Sequence, residues 1–243
     1  MKSLNDILRQ QSFQPGIAAV FFNPFFLIRY PLFKAIRQLA PELKGKLMDF
    51  GCGSKPYENL FTVDSYTGVD VEQSGHNHRY SKIDVFYNGT SLPFENETFD
   101  SVFSSEVLEH LFQPDILLQE INRVLKPGGK LLLTAPFGWN EHEMPFDYAR
   151  YTSEGICSLL RKNGFEIIRF QKTGNFVRVL FQLWILYLYE ISRKGGKVAL
   201  YAAMLLIVPF NLLAVLVAPL FPVNRSLYFN NVVLVQKKLT TAA

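Results

Sequence analysis

Cysteine is scarce in this chain. There are two in 243 residues, Cys52 and Cys157, far apart and without neighbouring ligands. That excludes a disulfide framework and a cysteine-based zinc site, and it fits a reducing compartment. Charge of one sign is also lacking: 25 Lys and Arg face 21 Asp and Glu, a net of +4. No basic face interleaved with aromatics stands out, which argues against a nucleic-acid partner. The small excess suits a protein resting on anionic lipid. Internal repeats and low-complexity tracts are absent. A secretory signal is not expected either. Residues 17–28 are apolar, but Asn23-Pro24 interrupts them, no small-residue cleavage site follows, and Arg29 and Lys34 come next. A pair of helices is expected there, forming an N-terminal cap or lid over residues 1–44, with an aromatic membrane-facing patch as the other reading.

A third glycine is missing where it would matter most. Leu47-Met48-Asp49-Phe50-Gly51-Cys52-Gly53 is an apolar run that ends in an acid and two glycines. Such a turn, leading into a helix N-terminus, lets backbone N–H groups approach a ligand closely. Twenty-one positions after Asp49, the stretch Tyr66-Thr67-Gly68-Val69 ends in Asp70, where an acid accepts hydrogen bonds from ribose hydroxyls. A dinucleotide fingerprint needs a further glycine at position 56, and Pro56 stands there. Asp49 ahead of the turn would repel a diphosphate and could hold a cationic amino-acid group. A nucleoside cofactor other than a dinucleotide is the reading.

The remaining motifs extend the pattern. Ile83-Asp84-Val85 reads as the tip of a third strand and Thr98 to Phe103 as a fourth. Ser105-Glu106-Val107-Leu108-Glu109-His110 follows, then an amphipathic helix from Pro114 with Leu117, Leu118, Ile121 and Leu125 on one face. Lys126-Pro127-Gly128-Gly129 is expected to stop that helix and Lys130 to Pro136 to form a fifth strand. The ordered set Asp-x-Gly-x-Gly, acid, Leu92-Pro93-Phe94, Phe99-Asp100-Ser101-Val102, Leu-Glu-His, Leu-Lys-Pro-Gly-Gly resembles the class I S-adenosylmethionine (SAM) methyltransferases of type 11. The resemblance covers roughly residues 45 to 172 and extends to membrane-associated bacterial members linked to surface-polysaccharide or lipid pathways.

That resemblance implies an α/β fold, a doubly wound, mostly parallel seven-stranded sheet of the Rossmann-like methyltransferase type. The SAM-binding core would span residues 45–173, with the last strand and tail at 228–243. It implies SAM as cofactor, with Asp49, Gly51 and Gly53 around its methionine part and Asp70 on the ribose. Asp84 would face the adenine amino group, and Ser105 joins the cofactor set. The interval from Asp84 to Leu92-Pro93-Phe94 is longer than in the family.

Glu106, Glu109 and His110 stand at i, i+3 and i+4, so they are expected on one face of a helical turn. His142 follows on the loop after strand five. Three readings stay open. His110 or His142, with Glu109, serves as general base for a hydroxyl acceptor, since imidazole changes charge near neutral pH. Alternatively Glu106, Glu109, His110 and His142 hold a divalent metal, a set similar to sites in small-RNA 2′-O-methyltransferases and ubiquinone O-methyltransferases; this is not the favoured reading. Or the Leu-Glu-His string is structural. Residues 142–152 look like a substrate-gating loop, in which Asp147 and Arg150 could equally form one ordering salt bridge. His76 and His78 read as solvated surface.

Between strands six (164–170) and seven (229–237) lies an apolar helical insert, residues 174–227. Residues 198–222 hold no charge, long enough to span a bilayer. An even number of crossings is required, and two would put Arg193-Lys194-Gly195-Gly196-Lys197 outside, against the positive-inside bias. A re-entrant, monotopic hairpin is therefore expected, turning at Pro209-Phe210-Asn211, with 176–191 flat at the interface. The chain reads as a SAM-dependent methyltransferase at the cytoplasmic face of the membrane. It would act on an oxygen of a hydrophobic or lipid-linked acceptor, a glycan or quinone-like ring. The rivals are a soluble small-molecule methyltransferase whose insert serves dimerisation, and a non-catalytic SAM-binding scaffold.

Overall fold

A computed structural model describes residues 10–71 and 81–239; the turn at 73–79, with His76 and His78, lies outside them. The chain divides into two compact units, Met1–Ala35 with Lys172–Asn230 and Ile36–Gln171 with Asn231–Ala243.

A seven-stranded sheet runs in the order β3-β2-β1-β4-β5-β7-β6. Its strands are β1 (Lys46–Phe50), β2 (Ser65–Val71), β3 (Val85–Tyr87), β4 (Phe99–Ser105), β5 (Leu125–Pro136), β6 (Phe165–Lys172) and β7 (Asn230–Lys237). The pairs β1–β2, β1–β4, β2–β3 and β4–β5 are parallel. β7 runs against β6: Lys238 N–H donates to the Gly164 carbonyl and Thr173 N–H to that of Asn230. The central strands read as continuous apolar runs because both faces are covered. Met48, Phe50, Val69, Val102, Leu131 and Leu133 form the core with Leu118 and Ile121 of helix α2 (Pro114–Val124) and Ile156 and Leu160 of α3 (Ser153–Lys162). Thr152 caps α3, its hydroxyl accepting the Gly155 N–H at 3.1 Å. Strand order reverses at β1 and β4, so a ligand crevice opens at their carboxyl ends.

Four expectations need correction. No α-helix follows the glycine turn among the described residues between β1 and β2. A single 3-10 turn, Glu58–Leu60, stands there, because Pro56 and the left-handed Lys55 (φ 53°) interrupt the helical path. β5 begins at Leu125, directly after α2, so Lys126-Pro127-Gly128-Gly129 belongs to the strand. A register irregularity opposite Phe99 and Ser101 absorbs it. β3 starts at Val85, which leaves Asp84 ahead of the strand rather than at its tip.

The fourth correction concerns the insert. It consists of α4 (Phe176–Lys194) and α5 (Gly196–Val217), and α5 continues through Pro209 instead of turning there. Proline removes one backbone donor, while the uncharged run of Leu, Ala and Val on both sides keeps the helix intact. Asn211 lies inside α5 with its amide donating to the carbonyls of Val20 and Asn23. The reversal falls at Gly195 instead. Phe181 and Phe210, at nearly equal distances along the chain from that point, lie 6.5 Å apart between ring centroids with their planes tilted at 54°, so the two helices form an antiparallel hairpin. Within the same unit, helix α1 (Phe26–Leu39) begins just after Asn23-Pro24, and the Gln182 amide of α4 donates to the Pro24 carbonyl.

Candidate active site

The glycine turn and the acid of β2 meet directly. Gly53 N–H donates to Asp70 Oδ2 at 3.0 Å, and Asp70 Oδ1 accepts from Val71 N–H. Gly51 has φ +71°, and a Cβ there would lie 2.2 Å from Val107 Cγ2. Glycine is therefore required at 51 by both backbone and neighbour. A Cβ on Gly53 would meet nothing within 4 Å, so the backbone there faces open space that a ligand could fill.

Asp49, at the penultimate position of β1, is 3% exposed and accepts a hydrogen bond from Tyr66 Oη at 2.6 Å. Burial pushes its carboxyl up to about 7, against the opposing pull of the Tyr66 bond and the Lys55 charge. A buried carboxylate that ionises with such difficulty fits a partner that brings a positive charge. Asp84 is placed differently. Its Oδ2 accepts from Lys55 Nζ at 2.5 Å and from Gly68 N–H at 2.7 Å. Burial opposes its ionisation, but these two donors outweigh it and hold the carboxyl below the usual range. The residue at the carboxyl end of β3 is Asn88, whose Oδ1 accepts from Thr90 and Ser91 N–H.

The second half of the site follows β4. Ser105 Oγ and Thr134 Oγ1 are 2.9 Å apart, and Thr134 also donates to Glu106 Oε1 at 2.7 Å. Glu106 adopts a left-handed backbone, φ 56°, a conformation that non-glycine residues hold only where surrounding structure enforces it. It therefore turns toward Thr134 instead of sharing the face of Glu109 and His110, which sit in the 3-10 turn Leu108–His110.

Glu109 is fully buried, and neither of its carboxylate oxygens has a hydrogen-bond partner among the described residues. Burial, then the nearby Glu106 charge, drives its carboxyl well above the normal range. His110 Nδ1 lies 2.8 Å from the Phe146 carbonyl, which fixes the proton on Nδ1 and leaves Nε2 unprotonated in the neutral ring. That Nε2 is 3.8 Å from Glu109 Oε1 and 3.6 Å from Glu143 Oε2.

The ring of His142 stacks edge-on to that of His110 at 5.0 Å. Burial lowers the His142 pKa, against the opposing pull of the Asn140 carbonyl and the Asp147 carboxylate. Asp147 accepts the His142 N–H at 2.8 Å and pairs with both terminal nitrogens of Arg150. Burial disfavours its charge, yet the Arg150 bonds prevail and bring the carboxyl down to about 2. The ordering salt bridge thus exists, and it holds the loop that carries His142.

The structure groups Asp49, Gly51, Gly53 and Asp70 at the ends of β1 and β2, and it groups Glu109, His110 and His142 on the segments after β4 and β5. The latter three offer ligand atoms within 4.8 Å of one another, so they could hold a metal ion; Glu106 is not part of that group. Thr134, Tyr66 and Lys55 complete the site without being marked as site residues by any motif. Thr134 alone carries a signal, as the one hydroxyl in the apolar run of residues 131–135.

Residues 48–133 match the family model described as "Methyltransferase domain". This chain carries a class I SAM-dependent methyltransferase domain. A ubiquinone biosynthesis O-methyltransferase of Dechloromonas aromatica is 27% identical over 154 residues, covering 57% of this chain and 64% of that protein. A fatty-acid O-methyltransferase of Mycolicibacterium smegmatis is 33% identical over 142 residues, 53% and 50% of the two chains. The chain thus spans about half to two-thirds of these relatives' lengths. Among solved structures, a Haemonchus contortus phosphoethanolamine N-methyltransferase 2 in complex with SAM aligns with a TM-score of 0.52 and 21% identity. It covers 99% of this chain and 61% of that one. At such identity the likeness speaks for the fold. The SAM family and the seven-stranded methyltransferase sheet expected from the motifs are thereby established.

Proposed function

We propose that this chain transfers the methyl group of SAM to an oxygen of a hydrophobic or lipid-linked acceptor, a glycan or quinone-like ring, at the cytoplasmic face of a membrane. The observation that carries the reading is the crevice itself. Gly53 and Asp70 stand at the ends of β1 and β2, and a buried carboxylate with two imidazoles follows β4 and β5, all at the strand ends where α/β ligands bind. SAM supplies an electrophilic methyl on a sulfonium. Asp49 would hold its ammonium and Asp70 its ribose hydroxyls, while the crevice aligns acceptor, methyl and sulfur for in-line displacement. His110 Nε2, left unprotonated by the Phe146 carbonyl, would take the acceptor's proton as the new C–O bond forms.

Two features support a hydrophobic acceptor. Phe112 and Tyr148, in contact edge to face and both exposed, lie beside the histidines, and Met144 is 61% exposed on the same loop. The relatives named as a ubiquinone biosynthesis O-methyltransferase and a fatty-acid O-methyltransferase support the same reading. The membrane reading rests on the hairpin. Tyr201–Leu220 has a mean hydropathy of 2.4 and is 28% buried, long and apolar enough to cross a bilayer. Leu180, Trp184, Tyr187, Val198 and Leu205 are exposed on the two helices. The basic tip at Arg193 and Lys194 disfavours two full crossings, so the hairpin would lie in one leaflet.

Mass spectrometry of lipids and glycolipids from cells with and without the gene tests the acceptor. A species lighter by one CH2 that accumulates without the gene is expected; an unchanged profile in the lipid fraction would count against it. Release of the protein by carbonate without detergent would rule out the membrane reading.

A second reading is favoured by one observation, the Glu109 oxygens that have no hydrogen-bond partner among the described residues. A divalent ion held by Glu109, His110 and His142 would satisfy them and could bind the acceptor oxygen. Two imidazoles and a carboxylate suit zinc or a neighbouring first-row ion. Turnover that survives exhaustive chelation would eliminate it.

A further inference from the structure

In a doubly wound sheet, the turn after the first strand is usually held by the helix it leads into. Here the stretch between β1 and β2 carries only the 3-10 turn Glu58–Leu60, so the turn needs another support. Lys55 supplies one. Its N–H donates to the Cys52 carbonyl at 2.7 Å, closing the loop around Gly53. Its side chain is 8% exposed, unusual for a lysine. It crosses directly over Gly68 of β2, where a Cβ would lie 2.4 Å from Lys55 Cε. It ends on Asp84, which is itself anchored by the Gly68 N–H. Nζ also sits 5.5 Å from the ring centre of Tyr66, the residue whose hydroxyl bonds Asp49.

We propose that Lys55 is a positioning residue for cofactor binding, a strut from the glycine turn through the gap at Gly68 to Asp84 that replaces the missing helix. It sets where Gly53 N–H and the Asp49 carboxylate face the ligand. Its charge also favours the anionic form of Asp49. The groups that act on Asp49 are Tyr66 and Asp70 from β2, Cys52 and Lys55 from the turn, and Glu58 from the 3-10 turn. Lys55 is the cation in that set. Gly68 acquires a reason to be glycine, although its own backbone is ordinary for a strand: a Cβ would meet Lys55 Cε at 2.4 Å and Cys52 Sγ at 2.8 Å, pushing on the strut and on the turn it holds.

The inference rests on the reading that the crevice takes SAM. Calorimetric titration of SAM across pH 5.5–9 (a range chosen to bracket neutrality), on wild type and variants, separates the two. Lys55→Met is expected to weaken SAM binding about tenfold or more and to move the midpoint of its pH dependence upward. Lys55→Arg should recover part of both effects. Gly68→Ala keeps every charge and should also weaken binding, which covers the case in which Lys55→Met does not fold. Wild-type affinity and an unmoved midpoint in Lys55→Met, or in Gly68→Ala should the former not fold, would overturn the strut alone. Failure of the wild type to bind SAM would overturn the cofactor reading and this inference with it.

Discussion

Gly53 N–H and Asp70 Oδ2 are 3.0 Å apart, a bond between the turn after β1 and the tip of β2 across seventeen residues. It joins the two features of the proposed cofactor site, the bare backbone of Gly53 and the acid proposed for the ribose. Bonds to a charged group are worth about 1.5–3 kcal/mol. Asp70→Ala should therefore lower SAM affinity by about tenfold to a hundredfold, at 1.4 kcal/mol per factor of ten. Titration calorimetry reads this directly, and unchanged affinity would remove Asp70 from the ribose.

SAM affinity should depend on pH through Asp49. Its carboxyl is pushed up to about 7 by burial, and the ammonium of SAM needs it ionised. Affinity should rise with pH up to about 7 and level off above, falling up to about tenfold per unit below. Asp49→Asn should bind weakly with a flat profile. Stability follows the opposite course. The unfolded carboxyl loses its proton near 3.8, whereas the folded one keeps it to about 7, so this group's contribution to stability decreases as pH rises through that window.

Gly51→Ala combines a left-handed backbone with a contact 2.2 Å from Val107. Overpacking and strain of this kind cost about 1–3 kcal/mol each. Urea denaturation should give a loss of that order, while Gly53→Ala, with open space around it, should lose less stability but weaken SAM binding.

Arg150→Met would strip Asp147, whose side chain is 1% exposed, of its cation and leave it the His142 N–H as donor. Breaking a buried pair costs about 3–5 kcal/mol. The Asp147 carboxyl, now held at about 2 with the help of Arg150, should titrate at higher pH, which carbon NMR of the side chain would report. Arg150→Lys should restore the charge but not the paired geometry.

The neighbouring ends of β1 and β2 are readable because each strand closes on an acid or a glycine turn, and in parallel strands such motifs lie at one end of the sheet. Asp49, Gly51, Gly53 and Asp70 could be grouped on that basis alone. The missing helix was less visible. Pro56 stood in plain sight, but the strut that compensates joins Lys55 to Asp84, residues twenty-nine apart. Nothing local in the sequence marks Asp84 as a partner of lysine rather than of a ligand. Pro209 misled in the other direction: a proline signals a turn in a polar segment, yet inside a long uncharged run the helix simply continues past it. Glu106 was assigned to the wrong face because helical spacing assumes right-handed backbone, which its φ of 56° violates. The partnership of His142 with Asp147 and Arg150 depends on how the loop folds back on itself, and spacing alone left open whether those two would pair.

The most direct test of the whole account is a crystal structure grown with excess S-adenosylhomocysteine. The account predicts a nucleoside beside Gly53 with both ribose hydroxyls on the Asp70 carboxylate and the amino group on Asp49. An empty crevice, or one that takes a phosphate group in place of the amino acid, would contradict it.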